Sequence, residues 1–328
     1  MRIFRYAEER LPHIKVCGLT FKEVQDRFLN VEEIKYDTDV PDDIEGYYCV
    51  VHNDTPLLDY DFLESLAKEC EALDTCYTIG DGYITKRGYN GGYKRCENIL
   101  CYQVKSLADV SFVDGFLREK VKEKLANKNV IIYDYATSFI DFDVDIGDGT
   151  VIYPMTSLKG RTKIGKNCII YSFCDLVDTV VGDNVDIRST YAYGAKIGDN
   201  TTVGPFACLR QGADIGDFCR IGDFVEIKNS LLSDGVKASH LAYVGDSEVG
   251  ENTNVGCGAV FANYNGVKKQ RCVVGSNVFI GANSNLVAPV RVHDGAYIAA
   301  GSTVTEDVPA GNLCIARSRQ VFKENWTR

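Results

Sequence analysis

No stretch of about 18 apolar residues occurs in this chain, which excludes a membrane-spanning helix. Histidine is scarce: His13, His52, His240 and His293 are the only four, too few for a three-histidine metal site on any one segment. The thirteen cysteines are odd in number and none forms a C-x-x-C pair, so neither a disulfide framework nor a zinc site is expected. Cys168, Cys174, Cys208, Cys219, Cys257 and Cys272 fall where small or apolar residues belong and read as free, mostly packed thiols in a reducing compartment. Positive charge is in deficit, 36 Lys and Arg against 46 Asp and Glu, giving a net charge of −10 and a pI near 5.0. That balance argues against nucleic acid or an anionic membrane as partner, and any phosphate site must be a local cluster of cations. No apolar segment follows Met1-Arg2-Ile3-Phe4-Arg5, so a cytoplasmic location is expected. Finally, residues 146 to 309 lack any amphipathic 3.6-residue period, which excludes a parallel sheet with helical crossovers.

What that region contains instead is one short phrase repeated: an aliphatic residue, a small residue, then polar turn residues. It stands at Ile146-Gly147-Asp148, Ile164-Gly165-Lys166, Val181-Gly182-Asp183, Ile197-Gly198-Asp199, Ile215-Gly216-Asp217, Leu232-Ser233-Asp234, Val249-Gly250-Glu251, Val274-Gly275-Ser276 and Val292-His293-Asp294. Successive starts differ by 18, 17, 16, 18, 17, 17, 25 and 18. Val203-Gly204, Ile221-Gly222, Val255-Gly256 and Ile280-Gly281 subdivide the period into sixes. A hexapeptide-repeat β-solenoid of about nine coils follows, with three short flats per coil and aliphatic side chains turned inward. Residues about 18 apart then lie one above another. The single long interval holds Asn263-Tyr264-Asn265-Gly266-Val267-Lys268-Lys269-Gln270, roughly seven extra residues that leave the coil as a loop, where a solidly packed solenoid carries its function.

Arg210 and Lys228 are 18 residues apart and each follows an aliphatic residue, so the winding stacks them on one edge. Two cations about one strand spacing (~5 Å) apart repel unless an anion sits between them. A phosphate suits that place, the guanidinium gripping two oxygens and the ammonium acting as a point charge. His240 is the one histidine on the middle coils. The period sets it near the corner of the basic pair and within reach of the loop, as a general base suited to neutral pH. Tyr243 and Asn254 keep it company.

At these residues the sequence resembles the acetyltransferase half of the bifunctional N-acetylglucosamine-1-phosphate uridyltransferase/glucosamine-1-phosphate N-acetyltransferase family. The likeness is carried by Gly204-Pro205-Phe206-Ala207-Cys208-Leu209-Arg210, Gly222-Asp223-Phe224-Val225-Glu226-Ile227-Lys228 and His240-Leu241-Ala242-Tyr243-Val244-Gly245-Asp246. It continues through Asn263-Tyr264-Asn265-Gly266, Leu286-Val287-Ala288-Pro289-Val290, Ile298 to Thr305, and a tail with Ala316-Arg317 and Lys323-Glu324-Asn325-Trp326. The resemblance implies a left-handed parallel β-helix assembled as a homotrimer with sites between subunits, against the usual right-handed crossover. It implies acetyl-CoA as co-substrate and a small sugar phosphate as acceptor. His240 would be the base and Glu226 a carboxylate that polarises the site or orients that histidine. Arg210, Lys228, Tyr243, Asn254 and Lys269 would contact the sugar phosphate; Asn263, Tyr264, Ala282, Ala300 and Arg317 would surround acetyl-CoA. No metal is implied for acetyl transfer. The chain departs from the family in Gln211 where a proline is usual, Ala282 where a serine is expected and Cys257 where an alanine is expected.

The expected architecture is therefore mainly β, in three parts: a truncated α/β domain at 1–105, a linker helix at 106–128 and the β-helix with its closing arm at 129–328. The first part lacks the family's glycine-rich phosphate loop, with no glycine before Gly18. It keeps Asn53-Asp54-Thr55-Pro56-Leu57-Leu58, similar to the family segment whose aspartate holds Mg²⁺, which leaves Asp54 an orphan ligand and uridylyl transfer absent. Lys86 to Arg95, basic with two tyrosines, reads as an exposed hairpin loop. The linker helix is marked by Val113, Leu117, Val121 and Leu125, with Asp109 and Asp114 early and Lys120 to Lys128 late. The leading expectation is N-acetylation of glucosamine 1-phosphate, with a separate uridyltransferase possible as a partner. The alternatives are another amino sugar phosphate or sugar nucleotide as acceptor, or a non-catalytic trimeric sugar-phosphate-binding scaffold.

Overall fold

The computed structural model describes residues 1–7, 14–324 and 326; His13 and Asn325 lie outside them. The chain forms two compact units, Met1–Val121 and Lys122–Arg328.

The first unit is built on a six-stranded mixed sheet in the order Glu32–Ile34, Arg2–Tyr6, Tyr47–Val51, Gly82–Lys86, Cys76–Ile79, Tyr93–Arg95. The first three strands pair in parallel, and Tyr47–Val51 meets Gly82–Lys86 antiparallel. Helix α1 (Phe21–Phe28) starts on a capping box in which Thr20 and Glu23 each satisfy the other's backbone N–H. Helix α2 (Tyr60–Leu73) is capped by Asp59, which accepts from Phe62 N at 2.8 Å, and it buries Leu63, Leu66 and Cys70. Those three side chains join Cys49, Val51, Leu58, Ile79 and Ile84 in one core. The basic segment turns through Gly88–Gly92 and comes back as the exposed edge strand Tyr93–Arg95 rather than as loop throughout. Helix α3 (Leu107–Ala126) buries Val113, Leu117, Val121 and Leu125, the four residues that repeat along its sequence.

The second unit is a parallel β-solenoid of three sheets with ten, nine and eleven strands. Each coil contributes one strand to each sheet, and the pairing is in register, as in Ile152 beside Ile170 beside Ile187 beside Val203 beside Ile221. All five are at most 1 % exposed, which makes the aliphatic column the core. The Gly-Asp part of the repeat has a separate cause. The Asp217 carboxylate accepts the Asp199 N–H of the coil below at 2.7 Å, Asp234 does the same for Asp217, and Asp183, Asp199 and Asp294 repeat the contact. A Cβ on Gly165 would come within 2.3 Å of the Asp183 carboxylate, so the small residue is what lets the ladder close. Asp217→Ala leaves the Asp199 N–H without its acceptor. A loss of about 1–2 kcal/mol in urea unfolding is expected. Asp214→Ala, which removes only a 3.5 Å exposed contact with Lys196, should stay within ~0.5 kcal/mol of wild type.

All cysteines are free thiols; Cys168, Cys174, Cys219 and Cys272 are buried as expected, whereas Cys257 is exposed. Among the described residues no helix is long and apolar enough to cross a membrane, and no cluster of three His, Cys, Asp or Glu side chains could hold a metal ion.

Candidate active site

In the ten-stranded sheet, Leu209, Ile227, Val244 and Phe261 are wholly buried, so the residues on either side of each point outward. Glu226 lies opposite Cys208 on one side and Tyr243 on the other, and Lys228 lies opposite Gly245. The Arg210 N–H donates to Ile227 O at 2.8 Å, which carries the chain past Leu209 to a place beside Lys228. The stacking expected from the 18-residue spacing is present. The Arg210 guanidinium turns back along the face and donates to Glu226 Oε1 at 2.9 Å.

The inserted loop adds a third cation. Residues 263–270 fold into a small hairpin: Tyr264 bridges Lys269, Gln270 N donates to Asn263 O, and Asn265 Oδ1 accepts from Val267 N and Lys268 N. Lys269 beside it pushes the Lys228 ammonium below the usual lysine range, with Arg210 adding to the effect and Asp246 opposing it. Arg210, Lys228 and Lys269 thus converge on one corner. Asp246 is the counter-charge beneath. Burial pushes its carboxyl up, but Asn229 and Asn263 as donors, then Lys269 and Lys228 as charges, more than offset that and leave it below the ordinary carboxylate range. Because the folded carboxyl is depressed, its contribution is complete above the unfolded value near 4 and disappears as pH falls through the folded one. Asp246→Asn should therefore lower the melting temperature at pH 7, by about 1–2 kcal/mol of stability, with the gap from wild type closing below pH 4. A gap that persists at pH 3 would locate the loss elsewhere.

His240 stands near that corner but not on it. It closes the strand Lys237–His240 in the eleven-stranded sheet, five residues before Gly245, the residue opposite Lys228. The exposed flat carrying Glu226 and Tyr243 separates the two corners, at most about 16 Å of extended chain. Nor does Glu226 orient the histidine, since its carboxylate is taken by Arg210. The partner of His240 is Asp223, with Nδ1 2.5 Å from Oδ1. His240 in turn draws the Asp223 carboxyl below its ordinary range. Asp223 stands 17 residues before His240, one coil down, so the repeat itself could have revealed it. A cavity of about 330 Å³, lined by Arg188, Arg220, Asp223, Ser239 and His240 among others, opens beside this pair.

The remaining candidates divide. His240, Cys257, Ala282 and Ala300 occupy the same corner position on successive coils, tied by Gly258 N to His240 O, Asn283 N to Cys257 O and Gly301 N to Ala282 O. Ala282 and Ala300 are exposed and small, so this corner carries only short side chains on the coils beyond the imidazole. At its far end Arg317 Cδ comes within 3.8 Å of where a Gly301 Cβ would stand. Tyr264 is exposed on the loop and donates to Gly266 O. Asn263, expected at acetyl-CoA, is buried instead, and its amide donates to Asp246 and, at 3.4 Å, to the Tyr243 hydroxyl, so it anchors the loop. Asn254 lies on the eleven-stranded sheet between Lys237 and Phe279 and is not brought to the cationic corner within one chain.

The hexapeptide family of bacterial transferases matches residues 194–229 and 271–306. A curated relative from Clostridioides difficile (strain 630), the bifunctional protein GlmU, is 48% identical over 223 residues, covering 68% of this chain and 49% of its own length. The bifunctional protein GlmU of Clostridium botulinum (strain 657 / Type Ba4) is 39% identical over 319 residues, 95% of this chain and 66% of the relative. The chain belongs to the GlmU family. It spans about half to two thirds of the length of these GlmU relatives. Among solved structures, a UDP-N-acetylglucosamine acyltransferase from Campylobacter jejuni aligns at 21% identity over 56% of this chain and 69% of its own, with a TM-score of 0.37, a likeness too loose to bear on function.

Proposed function

We propose that this GlmU-family chain is an N-acetyltransferase that moves the acetyl group of acetyl-CoA to the amine of glucosamine 1-phosphate. The observation that carries the reading is the exposed flat with Arg210, Lys228 and Lys269 gathered at one end and His240 at the other. A sugar phosphate laid on that flat puts its dianion against three cations and its amine toward the imidazole. Tyr243 and Glu226 lie under the ring, Glu226 aiming the Arg210 guanidinium. The coenzyme's thioester arm follows this corner past Cys257, Ala282 and Ala300, with Arg317 at its charged end and Tyr264 at its side. His240 removes a proton from the amine nitrogen, which attacks the thioester carbonyl. The new C–N bond forms, the C–S bond breaks, and the departing thiolate takes the proton from the imidazolium as CoA.

A homotrimer completes the site in this reading. Met155, Phe173, Phe206, Phe224 and Leu241, 54 to 67% exposed and all at positive φ, run up the corner beside His240. Such a stripe is costly for a lone chain and suits burial against a second copy. Asn254, away from the cations in one chain, then reaches substrate across a subunit boundary. We assign no uridylyl transfer to the first unit: Asp54 is buried there and accepts from Gln103 Nε2 at 3.2 Å. A separate uridyltransferase would take the product onward. The choice of sugar is the finer part of the proposal, because phosphate ligands do not read hydroxyl configuration, and another amino sugar phosphate is the second reading.

Purified protein mixed with acetyl-CoA and a panel of amino sugar phosphates should release CoA thiol fastest with glucosamine 1-phosphate. Faster release with galactosamine 1-phosphate would move the assignment to that sugar, and calorimetric binding without any release would make the chain a scaffold.

A further inference from the structure

We propose that Asp223 is a positioning residue for His240: its carboxylate accepts a hydrogen bond from Nδ1–H, fixes the imidazole in the Nδ1–H tautomer and leaves Nε2 free to accept the proton of the substrate amine. The inference rests on the acetyl-transfer reading and names the group that reading lacks once Glu226 is found on Arg210.

Three observations carry it. The contact is short and direct, 2.5 Å from Nδ1 to Oδ1. It is also held by the backbone on both sides: Asp223 and His240 are register partners, and Leu241 N donates to Asp223 O at 2.9 Å. Most tellingly, the strands that bring the two together are exceptional. Every other strand of the eleven-stranded sheet is two residues long, whereas Arg220–Asp223 and Lys237–His240 are four. The extra paired residues run past the point where the other coils already turn. Gly222 permits this, since a Cβ there would lie 1.8 Å from Ser239 O, a backbone atom with no room to retreat. The local lengthening of the ladder has no counterpart on the other coils, and what it accomplishes is to set a carboxylate against the imidazole.

The chemistry follows from the tautomer. A neutral imidazole serves as base only through the nitrogen that lacks hydrogen, and the acceptor at the other nitrogen decides which one that is. The charged and titratable groups around His240 are Asp223 and Arg220 on the preceding coil, Asp186 and Arg188 farther along the same cavity, Lys237 on its own strand and Cys257 on the next coil. Asp223 is the one in hydrogen-bond contact with the ring.

The test combines kinetics with a readout that needs no turnover. With three other histidines in the chain, the His240 ring resonances can be assigned in the full-length protein by comparison with His240→Ala, and nitrogen correlation spectra report its tautomer. In Asp223→Ala the neutral ring should revert to the Nε2–H form. Asp223→Asn keeps an acceptor, so the Nδ1–H tautomer is retained. In the acetyl-transfer assay Asp223→Ala should lose about 10- to 100-fold in kcat, with KM for both substrates within about twofold. Asp223→Asn should lose less. A His240 tautomer unchanged in Asp223→Ala overturns the inference, whatever happens to the rate. Wild-type protein that shows the Nδ1–H tautomer but transfers no acetyl group instead overturns the acetyl-transfer reading, and the two failures are thereby told apart.

Discussion

Acetyl transfer from acetyl-CoA to glucosamine 1-phosphate falls by two to four orders of magnitude in His240→Ala, with little change in KM for either substrate. The reason is protonation state. An ammonium has no lone pair for the thioester, so the substrate reacts as its minor neutral amine, and the transition state needs a group that takes the N–H proton as the C–N bond forms. His240 ends its strand on an exposed corner, its side chain 60% accessible, and no core contact depends on it. The variant should accordingly melt within a degree or two of wild type, which separates a chemical loss from a folding loss. A His240→Ala protein with more than a tenth of wild-type kcat would remove the imidazole from the mechanism. Raising the pH should recover part of the lost activity, because a larger fraction of the amine is then neutral without help.

Arg210→Ala is expected to lower kcat/KM for the sugar phosphate by roughly 10- to 150-fold, mainly through KM, on the scale of a lost charge-assisted hydrogen bond. Two effects act in the same direction. The phosphate loses its bidentate partner, and Glu226, released from its 2.9 Å contact, turns an unpaired negative charge toward it. Arg210→Lys should recover only part of the loss, since an ammonium cannot replace the planar fork. Lys228→Ala provides the contrasting case. Lys228 is crowded by Lys269 and Arg210 in the free protein. Removing it weakens substrate binding yet leaves the melting temperature unchanged or slightly higher, because the repulsion goes with it. Added inorganic phosphate should raise the melting temperature of wild type more than that of Lys228→Ala. Equal shifts would mean that the cations fan into solvent without a common ligand.

Much of the solenoid could be read from the residues because its period is a geometric statement. An interval of 16 to 18 says which side chains lie above one another, and Arg210 beside Lys228, the column of aliphatic residues and the loop at 263–270 all follow from it. What the period does not state is where along each flat a side chain sits. His240 and Lys228 belong to adjoining coils, but one ends a strand of the eleven-stranded sheet and the other a strand of the ten-stranded sheet. The flat between them is why His240 lies near the cationic corner and not on it. The resemblance offers Glu226 as a carboxylate that polarises the site or orients the histidine, and is silent on Asp223. Both lie one coil below, and the four-residue strands put Asp223 beside the ring. The anchoring role of Asn263 could not be read from the residues, because it depends on Asp246, 17 residues earlier, being a buried charge in need of donors. In the first unit no repeat constrains the fold, and the strand order of its six-stranded sheet was beyond what hydrophobic patterning could supply.

A crystal structure of the full chain with N-acetylglucosamine 1-phosphate bound tests the account most directly. The phosphate should lie within hydrogen-bond distance of Arg210 and Lys228, with the acetylated nitrogen turned toward His240 Nε2. A product seated elsewhere, or with its phosphate on the His240 corner and its amide away from the imidazole, would contradict it.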